Sequence, residues 1–150
     1  CQDVGDTRYS GSEVVARKLA EMGADIHVHD PYVEKWYELE SQDSYPSPTH
    51  SWKRFFRSQD ALAHIRVHKD LPGALEGVEA VIFAVPHSAY LTLNPDEVMR
   101  WAGRPLAVID CFGMLPDSAI RRYFELGCEV KALGRGHIQR IKDAVRKKSR

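Results

Sequence analysis

Hydrophobic residues fall into short blocks along this chain, and their period switches repeatedly between helix and strand. After the polar stretch Asp3–Ser10, residues Val15, Leu19 and Met22 repeat at helical spacing and Gly23 ends the run. Ser10 and Glu13 have the spacing of a capping box, in which each side chain reaches the other's backbone N–H. Ala24–His29 then reads as a short strand stopped by Asp30-Pro31, and Val33–Glu40 as a short helix. Ser41–Ser51 is a polar loop with Pro46 and Pro48, Trp52–His64 has helical character, and Ile65–His68 reads as a brief strand. Asp70–Leu75 is a helical turn with Asp70 as its cap. Val78–Val85, nearly continuous in Val, Ile, Phe and Ala, is the clearest strand and has the composition of one buried on both faces.

The second half continues the alternation. Pro95–Ala102 is a helix with Asn94 as cap and Pro95 at its first position. Leu106–Cys111 is a buried strand. Asp117–Leu126 is a helix with Ile120 and Phe124 at i, i+4, ended by Gly127. Cys128–Leu133 is a strand nearer an edge, Gly134–Gly136 a turn, and Ile138–Val145 a last helix. This order predicts one Rossmann-like α/β domain over residues 1–150, a three-layer α/β/α arrangement with a mainly parallel sheet. Its core strands are Ala24–His29, Val78–Val85 and Leu106–Cys111. An insertion at about 34–66 interrupts it.

Composition narrows the classes. The chain has 150 residues, 43% hydrophobic and 28% charged, as a globular domain with a real core does. Its formal net charge is zero, so no global field draws it to nucleic acid or to a membrane surface. No apolar run approaches the roughly 20 residues of a transmembrane helix, and no signal peptide is visible. Cys1, Cys111 and Cys128 are odd in number and without metal-like spacing, which points to a reducing, cytoplasmic setting. Cys111 and Cys128 read as small buried hydrophobes. The chain opens on Cys1 rather than Met and starts within a motif, so it reads as a piece of a longer protein.

Candidate chemistry gathers in two places. Asp6, Arg8 and Ser10 precede a helix N-terminus, where free N–H groups and a guanidinium suit a phosphate. The plainer reading is a capped helix with a local Asp–Arg pair. His87 and Ser88 follow Val78–Val85, at the strand end where open α/β sheets bind ligands. They are ligand-lining candidates, or simply a loop cap, and no third member makes a catalytic set. His27, His29 and Asp30 lack the further donors a metal needs. Asp30 as a ribose ligand would require a glycine-rich turn that is not present, so it reads as a turn former. Half of the aromatic residues lie between Tyr32 and Phe56. Among them Trp52, Phe55 and Phe56 are expected to be buried, against the domain itself or against a second copy in a homodimer. Lys53, Arg54 and Arg57 interleave with them, too few for a nucleic-acid surface. Seven basic residues from Arg135 to Arg150 accompany one acid, Asp143, as on a solvated terminal helix.

Four stretches in order carry a family resemblance. Asp6-Thr-Arg-Tyr-Ser10 precedes a helix, and Gly23-Ala-Asp-Ile-His-Val-His-Asp-Pro-Tyr32 follows it. Val78–Pro86 and Leu106–Asp110 are the later strands. Together they resemble the C-terminal, UDP-binding domain of the UDP-glucose/GDP-mannose dehydrogenase family, the nucleotide-sugar 6-dehydrogenases, from about Asp3 to Val130. The resemblance implies a parent enzyme that uses NAD to oxidise the C6 alcohol of a UDP- or GDP-sugar in polysaccharide biosynthesis. In that enzyme this chain supplies the distal nucleotide wall beside an upstream NAD-binding domain. The chain itself lacks Gly-x-Gly-x-x-Gly and the nucleophilic Cys segment, so neither cofactor site nor catalysis is expected of it alone. Two departures accompany the match. Cys1 stands where the family places a Lys, and Phe112, in Asp110-Cys-Phe-Gly113, where it reads Asp-Gly-Arg-Asn. In the family both basic residues help bind the nucleotide sugar. The other reading is therefore a non-catalytic interaction or oligomerisation domain with a degenerate ligand site. The family's strand ahead of the Asp-x-Arg loop is longer than Cys1 and Gln2 can supply, so an upstream segment is required or the sheet re-pairs.

Overall fold

The computed structural model describes residues 1–7, 10–34, 36 and 65–150. The expectations for Val33–Glu40 apart from Val33, Glu34 and Trp36, for the polar loop and for Trp52–His64 lie outside these residues, as does Arg8. The chain divides into two compact units, one formed essentially by residues 3–70 and the other by residues 71–150.

In the first unit, α1 (Gly11–Glu21) is followed by β1 (Val28–His29) and β2 (Val67–His68). The two strands pair in parallel, with Val28 opposite Val67 and His29 opposite His68. The stretch Ala24–His29 thus yields a ladder at its last two residues only. The buried face of α1 is Ala16 and Ala20, packed with Trp36, Ile26, Val28, Ile65 and Val67. This corrects the expected stripe: Val15 and Met22 are exposed. Small alanines let the helix backbone approach the strands and the Trp36 ring closely, and that packing sets the rotation of the helix. The expected capping box is also corrected. Ser10 caps α1 without a side-chain bond to the backbone; its hydroxyl meets that of Ser12. Glu13 is drawn instead to Arg17 Nε at 2.7 Å, an ion pair one turn along the helix.

The second unit contains α2 (Leu71–Leu75), β3 (Ala80–Phe83), α3 (Ser88–Leu91), α4 (Pro95–Ala102), β4 (Ala107–Asp110), α5 (Asp117–Glu125), β5 (Glu129–Ala132) and α6 (Ile138–Lys148). The strands form a parallel sheet in the order β3-β4-β5. Val81, Val108 and Val130 lie in line across it, as do Phe83, Asp110 and Ala132. Parallel neighbours need a helical crossover, and the predicted helices supply it. Asn94 Oδ1 accepts the Asp96 N–H at 2.9 Å, and Gly103 ends α4 in the left-handed conformation, φ 73°, which glycine adopts without a Cβ penalty.

One face of this sheet carries the core. Val108, Val130 and Phe83 pack with Val98 and Ala102 of α4, Ile120, Tyr123 and Phe124 of α5, and Ile138, Ile141 and Val145 of α6. On the other face Ala107, Ile109, Glu129 and Lys131 are exposed. The strand composition suggested burial on both faces; within this unit the side chains alternate, and only one set is deeply buried. Both sheets are parallel, and β1 and β3 belong to separate sheets rather than closing on each other.

Ile120 has no exposed surface, so Ile120→Ala leaves a cavity amid α5, and the unfolding free energy is expected to fall by about 2–5 kcal/mol. Val14→Ala, at a position 58% exposed, is expected to change it by under about 0.5 kcal/mol. Urea denaturation of the two variants measures both.

Candidate functional site

The loop ahead of α1 is held by backbone contacts. The Cys1 amino group donates to the Asp6 carbonyl at 3.3 Å, and the Ser10 N–H to the Thr7 carbonyl at 3.1 Å. Gly5 lies so close to the Tyr32 carbonyl that a Cβ there would sit 2.6 Å from its oxygen; no other residue fits without moving the chain. The Tyr32 hydroxyl reaches Asp3 at 3.4 Å. Tyr32 is placed in turn by Asp30, whose carboxylate accepts its N–H at 2.8 Å. Asp30 is therefore a turn former that anchors the loop. Asp6 is half-buried and Ser10 stands at the head of the helix. The Ser10 hydroxyl turns to Ser12 and caps no N–H of the first turn; the Glu13 N–H goes to the Ser10 carbonyl at 3.1 Å, and those of Gly11 and Ser12 keep their capacity to bond an anion.

Three histidines cluster on the neighbouring strands. His27 stacks on His68 with ring centroids 5.1 Å apart, and His29 lies opposite His68. Burial lowers the pKa of His29, against the pull of Asp30 and Asp70. Among the described residues no group of three or more His, Cys, Asp or Glu has a metal-holding arrangement.

In the second unit the site candidates lie at the carboxyl ends of the strands. His87 is 1% exposed, its ring edge-on to Tyr90 at 5.6 Å and its carbonyl accepting the Tyr90 N–H at 2.9 Å. It packs the loop, while Ser88, which opens α3, faces solvent. Of this pair only Ser88 is accessible to a ligand.

The strongest polar construction follows β4, built on Asp110 and Arg135, neither of which the sequence marks as a ligand residue. Asp110 has no exposed surface. Its two carboxylate oxygens accept the Phe112 N–H at 3.0 Å and the Leu115 N–H at 2.9 Å. Arg135, from the turn after β5, donates to the carbonyls of Gly113 at 3.1 Å and Leu115 at 2.5 Å and to Asp117 at 3.2 Å. His137 Nε2 lies 2.8 Å from the same Asp117 oxygen. The bond to His137, with Arg135 and Arg121 nearby, holds the Asp117 carboxyl below its ordinary range. An aspartate ending an apolar strand and an arginine between two glycines were the available signals. Only the fold brings residues 113 and 135 together.

These loops do not fit NAD. The β5–α6 junction has Gly134 and Gly136 but no third glycine, and Arg135 folds back onto the neighbouring loop instead of leaving room for a pyrophosphate. No step is therefore assigned to that cofactor on this chain. No helix among the described residues is long and apolar enough to cross a membrane. The three cysteines are free: Cys1 exposed, Cys111 half-buried and Cys128 buried.

Residues 2–117 match the model of the UDP-glucose/GDP-mannose dehydrogenase family, UDP binding domain. The chain belongs to this family. In sequence it resembles a UDP-glucose 6-dehydrogenase of Caenorhabditis elegans, 28% identical over 133 residues, and one of Bos taurus, 23% identical over 135 residues. Each match takes in 89% of this chain and 25% of the relative, so the chain spans about a quarter of the length of the curated relatives it matches. In structure it resembles an NDP-N-acetyl-D-galactosaminuronic acid dehydrogenase from Methanosarcina mazei Go1, with a TM-score of 0.66 and 22% identity. That match covers 92% of this chain and 23% of the other, and it shows the shared Rossmann-like α/β fold.

Two outcomes follow from the Asp110 and Asp117 geometry. Asp110→Ala orphans the buried Leu115 N–H, at about 1–3 kcal/mol, and frees the part-buried Phe112 N–H, so chemical denaturation is expected to show a clear loss of stability. Asp117 has a depressed folded pKa, so its contribution is complete above the unfolded carboxylate value of about 3.9 and is lost as pH falls through the lower folded value. The acid limb of a stability–pH profile is expected to be shallower in His137→Ala.

Proposed function

We propose that this chain is the nucleotide-binding C-terminal domain of an NAD-dependent nucleotide-sugar 6-dehydrogenase, and that it is not catalytic by itself. The observation that carries this reading is the family match over residues 2–117, which takes in both the Asp6–Ser10 loop and the loop after β4. The ligand class is a UDP- or GDP-sugar. Arg8 and the start of α1 hold its phosphates, because a guanidinium and the N–H groups at a helix N-terminus are the chemistry a diphosphate needs. Oxidation of the sugar requires an NAD site and a nucleophile, and both belong to an upstream domain of the parent enzyme.

The departures set the affinity. A charge-assisted bond to phosphate contributes about 1.5–3 kcal/mol. With Cys1 and Phe112 in place of basic residues, two such bonds are lost, roughly 3–6 kcal/mol in all. At about 1.4 kcal/mol per tenfold, binding falls to the millimolar range. Calorimetry is expected to show millimolar binding of UDP or GDP that Arg8→Ala abolishes. Micromolar binding indifferent to Arg8→Ala would place the site elsewhere. No NADH is expected from the isolated chain with any sugar nucleotide, and measurable production would overturn the non-catalytic reading. The same departures support a second reading, an assembly domain whose ligand site has decayed, and complete absence of nucleotide binding would favour it.

A further inference from the structure

The three histidines of the first unit share one face of its ladder. His27 precedes β1 and His29 ends it, so their side chains point the same way, and His68 of β2 lies opposite His29. The His27 and His68 rings stack, with centroids 5.1 Å apart and planes 28° from parallel. The other face, at Val28 and Val67, is covered by Ala16 and Ala20 of α1. Among the described residues, the charged groups around the rings come from both strands and the turns after them. An Asp25 carboxylate oxygen lies 3.5 Å from His27 Nε2, and Asp30 and Asp70 act on His29. Arg66, two positions before His68, is exposed and carries a fixed positive charge on the same side of β2. The Lys69 backbone bonds the His29 ring, while its amino group lies 3.9 Å from Glu34. His29 leads directly into Asp30, which accepts the Tyr32 N–H. Tyr32 in turn holds the loop ahead of α1, with its carbonyl against Gly5 and its hydroxyl on Asp3. Asp3 sits at φ 54°, a conformation uncommon for a residue with a Cβ.

We propose that His27, His29 and His68 form a pH-sensitive latch: as neutral rings they close the β1–β2 ladder and keep the Asp30–Tyr32 turn against the Asp3–Gly5 loop, and on protonation they open the ladder and release that loop. Neutral imidazoles stack, whereas two imidazolium rings at this separation repel each other. Asp25 can accompany a proton on His27, but its side chain is 94% exposed, where solvent screens the attraction. A second positive charge, on His68 or His29, meets the first across the cluster, and Arg66 adds to it. Only two residue pairs of ladder resist this repulsion. Burial lowers the His29 pKa and outweighs the pull of Asp30 and Asp70, so the open ladder binds that proton more tightly than the closed one. The contribution of the latch is therefore complete above the ordinary histidine value of about 6.5 and is lost as pH falls through the lower folded value. The latch does not depend on the nucleotide reading, although the loop it controls is the one that reading places beside the phosphates.

NMR of the 150-residue chain between pH 8 and pH 5 tests this, a range in which histidine is the side chain whose ordinary pKa falls. The amide signals of Gly5, Val28, Tyr32 and Val67 are expected to move in step with the ring signals of His27, His29 and His68. Hydrogen-exchange protection of the β1–β2 amides, corrected for the intrinsic pH dependence of exchange, is expected to fall by about tenfold per pH unit for each proton that opening takes up. Protection of the β4 amides in the second unit is expected to stay constant. His27→Phe and His68→Phe each keep a flat ring that takes no proton, and each is expected to make the fall shallower. Protection of the β1–β2 amides that does not change with pH, or that falls as steeply in both variants, would overturn the latch. So would amide and ring signals that move at separate midpoints, a readout that needs no substitution.

Discussion

The carboxylate of Asp110 is the constraint on which the carboxyl end of the second unit's sheet depends. It ends the middle strand of the sheet, has no contact with solvent, and would be costly there without partners. The Phe112 and Leu115 N–H groups offset that cost and in doing so dictate the path of the chain. The turn they impose buries Leu115, places Gly113 against β5 and starts α5 at Asp117. Arg135 completes the arrangement from the next loop, spending its donors on backbone carbonyls and Asp117. Two ionisable residues, Asp110 and Arg135, are thus occupied in building the loop, while Phe112 stays exposed.

Among the described residues, apolar packing holds each unit. In the second, apolar side chains from α4, α5 and α6 close over one face of a three-stranded sheet and form a continuous cluster. In the first, two alanines and Trp36 pack with a few half-buried aliphatic residues around strands of two residues each. Hydrophobic stabilisation scales with the apolar area removed from water. Surface ion pairs add little: Arg122 grips Asp96 at 2.6 and 2.9 Å, yet both side chains are nearly half exposed, where solvent screens the attraction.

Much of this was legible before the fold. The runs at Val78–Val85 and Leu106–Cys111 become β3 and β4, paired in parallel. Asn94, Pro95 and Gly103 bound α4 within a residue, because caps act through bonds two to four positions away. The motifs around Asp6 and Asp110 led to the family that the match over residues 2–117 shows. Less of the candidate site could be read. His87 and Ser88 are adjacent in sequence, and burial alone separates them, one inside and one outside.

By itself, then, the sequence determined most of the order of strands and helices in the second unit, the bounds of α4 and the family, since these rest on short-range periodicity, local capping and motif spacing. Only the tertiary structure decided how polar groups with several available partners are allotted. Glu13 takes Arg17 over the Ser10 backbone, and Arg135 takes carbonyls about twenty residues away. It also decided that α1 buries Ala16 and Ala20 in place of Val15 and Met22. These outcomes depend on which surfaces meet across the fold, and no local spacing encodes that.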